Sequence, residues 1–527
     1  MKGRRVSPAE DKRRRRAVAV LAGLLAVWVA LDLAALGGPW TAAARYLAGL
    51  ARRAGPTRDL AARIAGHAPW AGGRTITLRV WDWWSPSTTE DYARYFAELE
   101  RIFEERHPEV DVVFQAVPFA NYEQKLSTAL GGDNPPDVFQ CSINWAQGLY
   151  RRGALRELND LVAATPELAD EQFMPAALYH SREDERIFGI PHIVDAACLL
   201  WNLDMLRREP TLHDMFERGA DGKPDFTRLR VDAVRDWEDF RRIARLTTQP
   251  RRAGGDDGPA PASQYGFTIS AYDMGASAFM PWAAANGAEF QDRAGTRALF
   301  DTPQAAQALR FLAELYWRDG VCPPFRRQLA TNELFQQQRV ACAMGGTWDG
   351  KYIVRNTQGW MGFGLTAFPP GPQGSGHGTV VWANMMVLSA RCRQPRLAWE
   401  YVRLVCSLEG ALLRLRHLNQ NSPRLDFYGG EAWLEEVSRR PYLANVPRIC
   451  AVGQPRQHTQ PQAVQDEIQP VFEYFMLNWP AIREGRGAVR DEAQAMHQAA
   501  ARVNEVYRRY NRAAAQWRTG GERRGLP

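Results

Sequence analysis

Residues 78–87 read LRVWDWWSPS, which sets Trp81, Trp83 and Trp84 around Asp82 where a run of strand-forming residues stops. Flat indole surfaces stack on apolar faces, and a short carboxylate accepts hydrogen bonds, so the stretch suits non-covalent capture of a ligand. Period-two alternation sends Trp81 and Trp83 to one side of a strand and Asp82 and Trp84 to the other. One side can be buried, but both cannot be ordinary solvated surface. Covalent chemistry leaves no comparable mark. There is no Gly-x-Ser-x-Gly, His-Glu-x-x-His or phosphate-binding Gly-Lys-Ser/Thr stretch. The glycines and histidine of GPQGSGHG come after FPP and read as a hairpin tip. The seven cysteines (141, 198, 322, 342, 392, 406, 450) include no C-x-x-C pair, which fits neither a zinc site nor a disulfide scaffold. They read as small buried hydrophobes, with a single disulfide open to a body outside the cytoplasm.

The elements that position these residues emerge from periodicity. TITLRVWDWW reads as a strand, and TEDYARYFAELERIFEERHP as a helix with Tyr92, Phe96, Leu99 and Phe103 on one face. VDVVFQAVPF, NYEQKLSTALGG, PDVFQCS and NWAQGLYRRGAL continue the alternation as strand, helix, strand and helix. Such alternation predicts parallel βαβ units in a three-layer α/β sandwich. Ligands of these sheets collect beyond the carboxyl ends of strands, where Trp83, Trp84, Ser142 and Asn144 fall. Further on, DWEDFRRIARLTT, the Thr-capped TPQAAQALRFLAELYWRDG and residues 464–512 read as helices, and QYGFTIS as a strand. Low-complexity stretches at 218–230 and 250–263 read as surface loops.

At 527 residues the chain exceeds one core, so two or more lobes are expected. Its net charge of +7 is concentrated at the N-terminus, where residues 1–16 carry eight Lys/Arg against Glu10 and Asp11. From residue 74 onward the balance is near neutral, which removes the argument for nucleic acid. Four arginines precede an apolar run, 17–36, long enough to span a hydrocarbon core of roughly 30 Å. The positive-inside bias places the chain beyond residue 36 outside the cytoplasm, on the periplasmic or extracellular face. An uncleaved anchor in the cytoplasmic membrane is the first reading. A cleaved signal ending near Ala42-Ala43-Ala44 is the second, and a buried helix the third.

Seven stretches in order resemble the extracellular solute-binding proteins of ABC importers, the large sugar-binding class that includes maltose-binding protein. They are LRVWDWW with its helix to FEERHPEVDVVFQAV, YEQKLSTALGGDNPPDVFQCS with LYRRGALREL, FGIPHIVDAACLLWNLDML, DWEDFRRIARLTT, ACAMGGTWDG, GFGLTAFPPGP and LAWEYVRLVCSLEG. Together they span about 74–510. The resemblance implies a two-lobe periplasmic-binding-protein-like α/β fold whose hinge closes on a sugar or oligosaccharide. It also implies delivery to ABC permease transmembrane subunits driven by a separate ATPase, with no enzyme activity, metal or cofactor. On this reading residues 1–16 are a basic cytoplasmic tail, 17–36 the membrane segment and 37–73 a linker. Lobe 1 covers 74–190 with a return segment about 385–430. Lobe 2 covers 191–384 with C-terminal helices about 431–512, and 513–527 is a polar tail. The chain departs from the class in its longer body and in lacking a lipoprotein cysteine.

Sugars offer flat C–H faces to aromatic rings and hydroxyl edges to carboxylates and amides. The implied contacts are therefore Asp82, Trp83, Trp84, Asn144 and Trp145 from lobe 1, and Asp195 where the chain crosses between lobes. Tyr272, Asp273, Trp348 and Asp349 would come from lobe 2, and Trp382 and Asn384 from the second crossing. Packing in the interlobe core is the competing reading for Trp81, Trp83 and Trp84, and a helix cap for Asn144. A glycosidase would need two facing carboxylates, for which Asp82, Asp195, Asp273 and Asp349 are the candidates. A membrane-tethered sugar-sensing domain is the other alternative. The near-neutral body favours an uncharged saccharide.

Overall fold

The computed structural model describes residues 76–84, 89–249, 263–269, 278–324, 331–455 and 461–522. Nearly all of the strands and helices among the described residues belong to one compact unit, which takes in 77–108 and the described residues from 112 onward. The apolar run 17–36, its basic tail and the 37–73 linker lie outside the described residues, as does most of the 250–263 stretch. Among the described residues no helix is long and apolar enough to cross a membrane.

The opening alternation is realised as β1 (Ile76–Asp82), α1 (Glu90–Arg106), β2 (Val110–Ala116), α2 (Phe119–Gly131), β3 (Val138–Ser142) and α3 (Ile143–Arg151). β1 and β3 pair in parallel, with Val80 opposite Val138. Helix α1 begins where its sequence allows. Thr89 accepts the amide of Tyr92 at 3.4 Å, and Glu90 and Asp91 fill the first turn, where carboxylates complement the helix dipole. It buries Tyr92, Tyr95, Phe96, Leu99, Ile102 and Phe103 along one face.

Next come β4 (Ile190–Asn202), α4 (Trp237–Leu246), β5 (Tyr265–Thr268), α5 (Met280–Ala285) and α6 (Pro303–Trp317). After them are β6 (Val340–Gly346), α7 (Gly350–Asn356), β7 (Phe363–Thr366) and β8 (Thr379–Leu388). The chain ends in α8 (Pro395–Cys406), α9 (Leu408–Leu418), β9 (Gly453–Pro455), α10 (Pro461–Arg483) and α11 (Glu492–Glu522). One mixed sheet of nine strands runs β2-β1-β3-β8-β4-β6-β5, with β7 also on β4 and β9 on β8. The parallel units are thus joined by antiparallel strands. β4 pairs β8 along its first half, and β6 and β7 along its second.

β4 and β8 lie at the middle of the sheet, between β3 on one side and β6 on the other. Alternation along β4 feeds two cores, Ala197, Leu199 and Trp201 entering one and Val194, Ala196, Cys198 and Leu200 the other. A strand buried on both faces reads as a near-continuous apolar run, as IVDAACLLW does. Asp195 is its one carboxylate.

One expectation needs correction. Residues 216–229 are not a plain loop, because Phe216–Arg218 and Pro224–Leu229 pair as an antiparallel ribbon that buries Phe216 and Leu229. The seven cysteines are free, and all but Cys392 are buried.

Candidate functional site

Asp195 lies midway along β4, directly opposite Trp382 of β8. Asn384, two residues on and therefore on the same face, stands opposite Ile193 of β4 and Ser142 of β3. Asp195, Trp382 and Asn384 are all half-buried. A bulge between Asn384 and Met385 marks where the β4–β8 register shifts.

The Asp195 carboxylate is held on one side only. Oδ1 accepts Thr347 Oγ1 at 2.9 Å and Asn421 Nδ2 at 3.2 Å. Thr347 Oγ1 in turn accepts the Ala196 amide at 3.1 Å, locking the two segments together. Oδ2 takes no hydrogen bond among the described residues. Burial pushes this carboxyl up to about 6, partly offset by Thr347, Asn421 and the charge of Lys351.

β6 delivers the second wall. Past Gly346 the chain makes a tight turn, Thr347–Asp349, and enters α7. Trp348 folds back over Gly346, where a Cβ would collide with its ring. Glycine is required there by close approach. Trp348 then meets Trp382 edge to face, with centroids 5.4 Å apart and planes at 88°. Both indoles stay half-buried. Asp349 is buried, and its Oδ2 accepts the Gly346 amide at 2.8 Å. It closes the turn rather than presenting an acceptor outward.

The end of β1 supplies the third wall. Asp82 Oδ1 accepts the Trp84 amide at 2.8 Å, so this carboxylate also fixes backbone. Burial raises its pKa to about 7, against the opposing pull of the Trp84 and Trp83 amides and of Arg414. Trp84 stacks on Tyr92 of α1 at 4.8 Å and 10°, which covers one face of a half-buried ring. Trp83 and Trp145 sit differently. They pack with Tyr122 in a buried aromatic cluster, Trp83 edge-on to Tyr122 at 5.2 Å and Tyr122 stacked with Trp145 at 5.7 Å. Both rings are buried, which is the competing packing reading for Trp83. Asn144 is the second residue of α3, and its side chain lies outside the described ones; Tyr272 and Asp273 also lie outside the described residues.

Sequence reasoning missed Tyr92, Thr347, Lys351, Tyr352 and Asn421. Tyr92 reads only as a core position of α1. Lys351 and Tyr352 directly succeed the ACAMGGTWDG stretch, so adjacency was the available signal. Nothing local marks Asn421, which arrives from 226 residues away. Among the described residues no three His, Cys, Asp or Glu side chains are placed to hold a metal ion.

The arrangement sets a half-satisfied carboxylate across from Trp382, which Trp348 meets edge to face, with the stacked pair of Trp84 and Tyr92 reached through Lys351 of α7. Residues 85–411 match the model of the bacterial extracellular solute-binding protein family. The chain belongs to that family. The solute-binding protein is similar to the maltodextrin-binding protein MdxE of Bacillus subtilis, 20% identical over 60% of this chain and 67% of the relative. In fold it is similar to the sugar-binding protein MalE of Xanthomonas citri, with a TM-score of 0.64, 17% identity and coverage of 84% of this chain and all of the other. A second likeness is the cyclic α-maltosyl-1,6-maltose binding protein of Arthrobacter globiformis, with a TM-score of 0.63, 16% identity, and 82% and 99% covered. These establish the two-lobe solute-binding fold.

Proposed function

We propose that this protein captures a sugar or oligosaccharide between its lobes and hands it to an ABC-type permease. The observation that carries the reading is Asp195 paired across the strands with the half-buried Trp382, which the half-buried Trp348 meets edge to face, while the second Asp195 oxygen takes no partner among the described residues. A pyranose stacked on an indole turns its hydroxyls toward the ring's edge, where a carboxylate oxygen accepts them. The solute-binding relatives named for maltodextrin and cyclic maltosyl-maltose favour the same class of ligand. Asn384 belongs to this contact set. Asp82 and Asp349 act one step back, by fixing the backbone that presents Trp84 and Trp348.

Export is implied by the family, and we assign residues 17–36 as the membrane anchor or export signal that achieves it. Membrane fractionation of the full-length chain beside a variant lacking 17–36 tests that assignment. The binding reading is tested by a thermal-shift screen of the purified protein with mono- and oligosaccharides. A ligand well above its dissociation constant raises the melting temperature by mass action. No shift with any saccharide would defeat it, and release of shortened products would favour the enzyme alternative.

A further inference from the structure

Lys351 is one of only three lysines after residue 74, the others being Lys125 and Lys223, in a region that makes most of its ion pairs through arginine. α7 carries it half-buried beside the aromatic platform of lobe 1. Its Nζ lies 5.6 Å from the Trp84 centroid and 5.7 Å from that of Tyr92. Those two rings are themselves only 4.8 Å apart. Near-equal distances to a tight parallel stack bring the ammonium within cation–π reach of both rings. The Tyr352 ring, 5.0 Å away, flanks it as well. Its hydrogen bond to the Tyr92 hydroxyl is long, 3.5 Å.

An ammonium has three donors, and withdrawing it from water is unfavourable unless a counter-charge compensates. Among the described residues no carboxylate stands at ion-pair distance from Lys351; Asp195 and Asp91 act on it only from further away. One turn on, Arg355 lies 5.5 Å from the same Tyr352 ring and also lacks an ion-pair partner among the described residues. Two neighbouring cations thus edge the platform with spare donors, and aromatic rings compensate them only in part.

We infer that the bound saccharide carries an anionic oxygen substituent, a uronate carboxylate or a phosphate ester, which Lys351 receives with Arg355 behind it. The inference rests on the carbohydrate reading of the cleft and revises the uncharged ligand suggested by the chain's near-neutral composition. Lys351 and Arg355, which have no ion-pair partner among the described residues, carry this, because the body's total averages over surfaces the ligand never meets.

The test is calorimetric titration of the full-length protein with matched pairs: digalacturonate and galactobiose, maltose phosphate and maltose. Each is measured at low and high salt, with wild type and Lys351→Gln. The expected result is one acidic member bound at least about tenfold tighter than its neutral counterpart, as charge-assisted contacts allow. The preference should shrink in high salt and in Lys351→Gln. The uronate and phosphate arms show which anion is read. Should the glutamine variant fail to fold, the wild-type selectivity and its salt dependence still decide. Neutral sugars bound as tightly as acidic ones would overturn the inference and leave the carbohydrate reading standing. Binding of neither kind would overturn both.

Discussion

The same pair of residue types, tryptophan beside aspartate, is used at the end of β1 and again at the end of β6, with different outcomes for the ring. In both places the carboxylate is turned back on the chain, Asp82 to the Trp84 amide and Asp349 to the Gly346 amide. In both, a strand end is thereby tied into a turn that projects an indole. The rings then part company. Trp84 lies flat on Tyr92 and offers a stacking platform, whereas Trp348 folds over Gly346 and meets Trp382 edge-on, forming a corner. The carboxylate with an open oxygen belongs to neither motif. It is Asp195, in the middle of β4, and its orientation is set by Thr347 and Asn421. Aspartate next to tryptophan in this sequence marks how a ring is held, while the carboxylate we propose for the ligand stands apart.

Substitutions can break that comparison in order of expected size. Trp145→Ala should destabilise the fold by about 3–5 kcal/mol, the usual consequence of truncating a buried aromatic, while folded molecules keep their affinity. Chemical denaturation and calorimetry read the two separately; a lost affinity at intact stability would return Trp145 to the site. Asp195→Asn preserves shape but removes the charged acceptor, and should weaken ligand binding by about 1.5–3 kcal/mol. Asp82→Asn and Asp349→Asn should act mainly on stability. An equal loss of affinity from all three would erase the distinction drawn between them. Trp348→Ala and Trp84→Ala should each weaken binding by about 1–2 kcal/mol with the fold intact. Unchanged affinity in either would remove that ring from the contact set.

The smallest effect is on pH dependence, and it separates the two roles by sign. The carboxyls of Asp82 and Asp195 titrate in the fold near 7 and 6, above their ordinary 3.8. A raised carboxyl means that folding favours the protonated form, so this stability is complete below about pH 4 and is lost as pH rises through 6 to 7. Ligand affinity should move the other way, rising through about pH 6 as Asp195 ionises and becomes the better acceptor. Melting temperature and dissociation constant between pH 4.5 and 8 check this. Asp82→Asn should flatten the stability profile near neutrality and leave the affinity profile in place.

Much of the fold was legible because its signals are local. The helical spacing of Tyr92, Phe96, Leu99 and Phe103, with Thr89 before it, yields α1 where the pattern placed it. The strand–helix order through residue 151 is legible for the same reason. The ribbon at 216–229 was not legible, since Phe216, Phe226 and Leu229 are too few among its charged residues and glycines to mark strands before the two pair. Trp348 and Trp382 stand out in the sequence as loop and strand aromatics, but their perpendicular meeting depends on residues 34 positions apart being brought together by the sheet.

The sequence by itself determined which segments become strands and helices, and that aromatic and short polar side chains gather at strand ends. These depend on side-chain periods of two and 3.6, which neighbours along the chain carry. Only the tertiary structure decided that Trp83 is buried, that Asp195 is held by Thr347 and Asn421, and that Lys351 lies beside the stacked pair of Trp84 and Tyr92. Exposure and hydrogen-bond partnership are properties of what packs against a residue. For these three the partners come from sequence positions tens to hundreds of residues away, where no local pattern reaches.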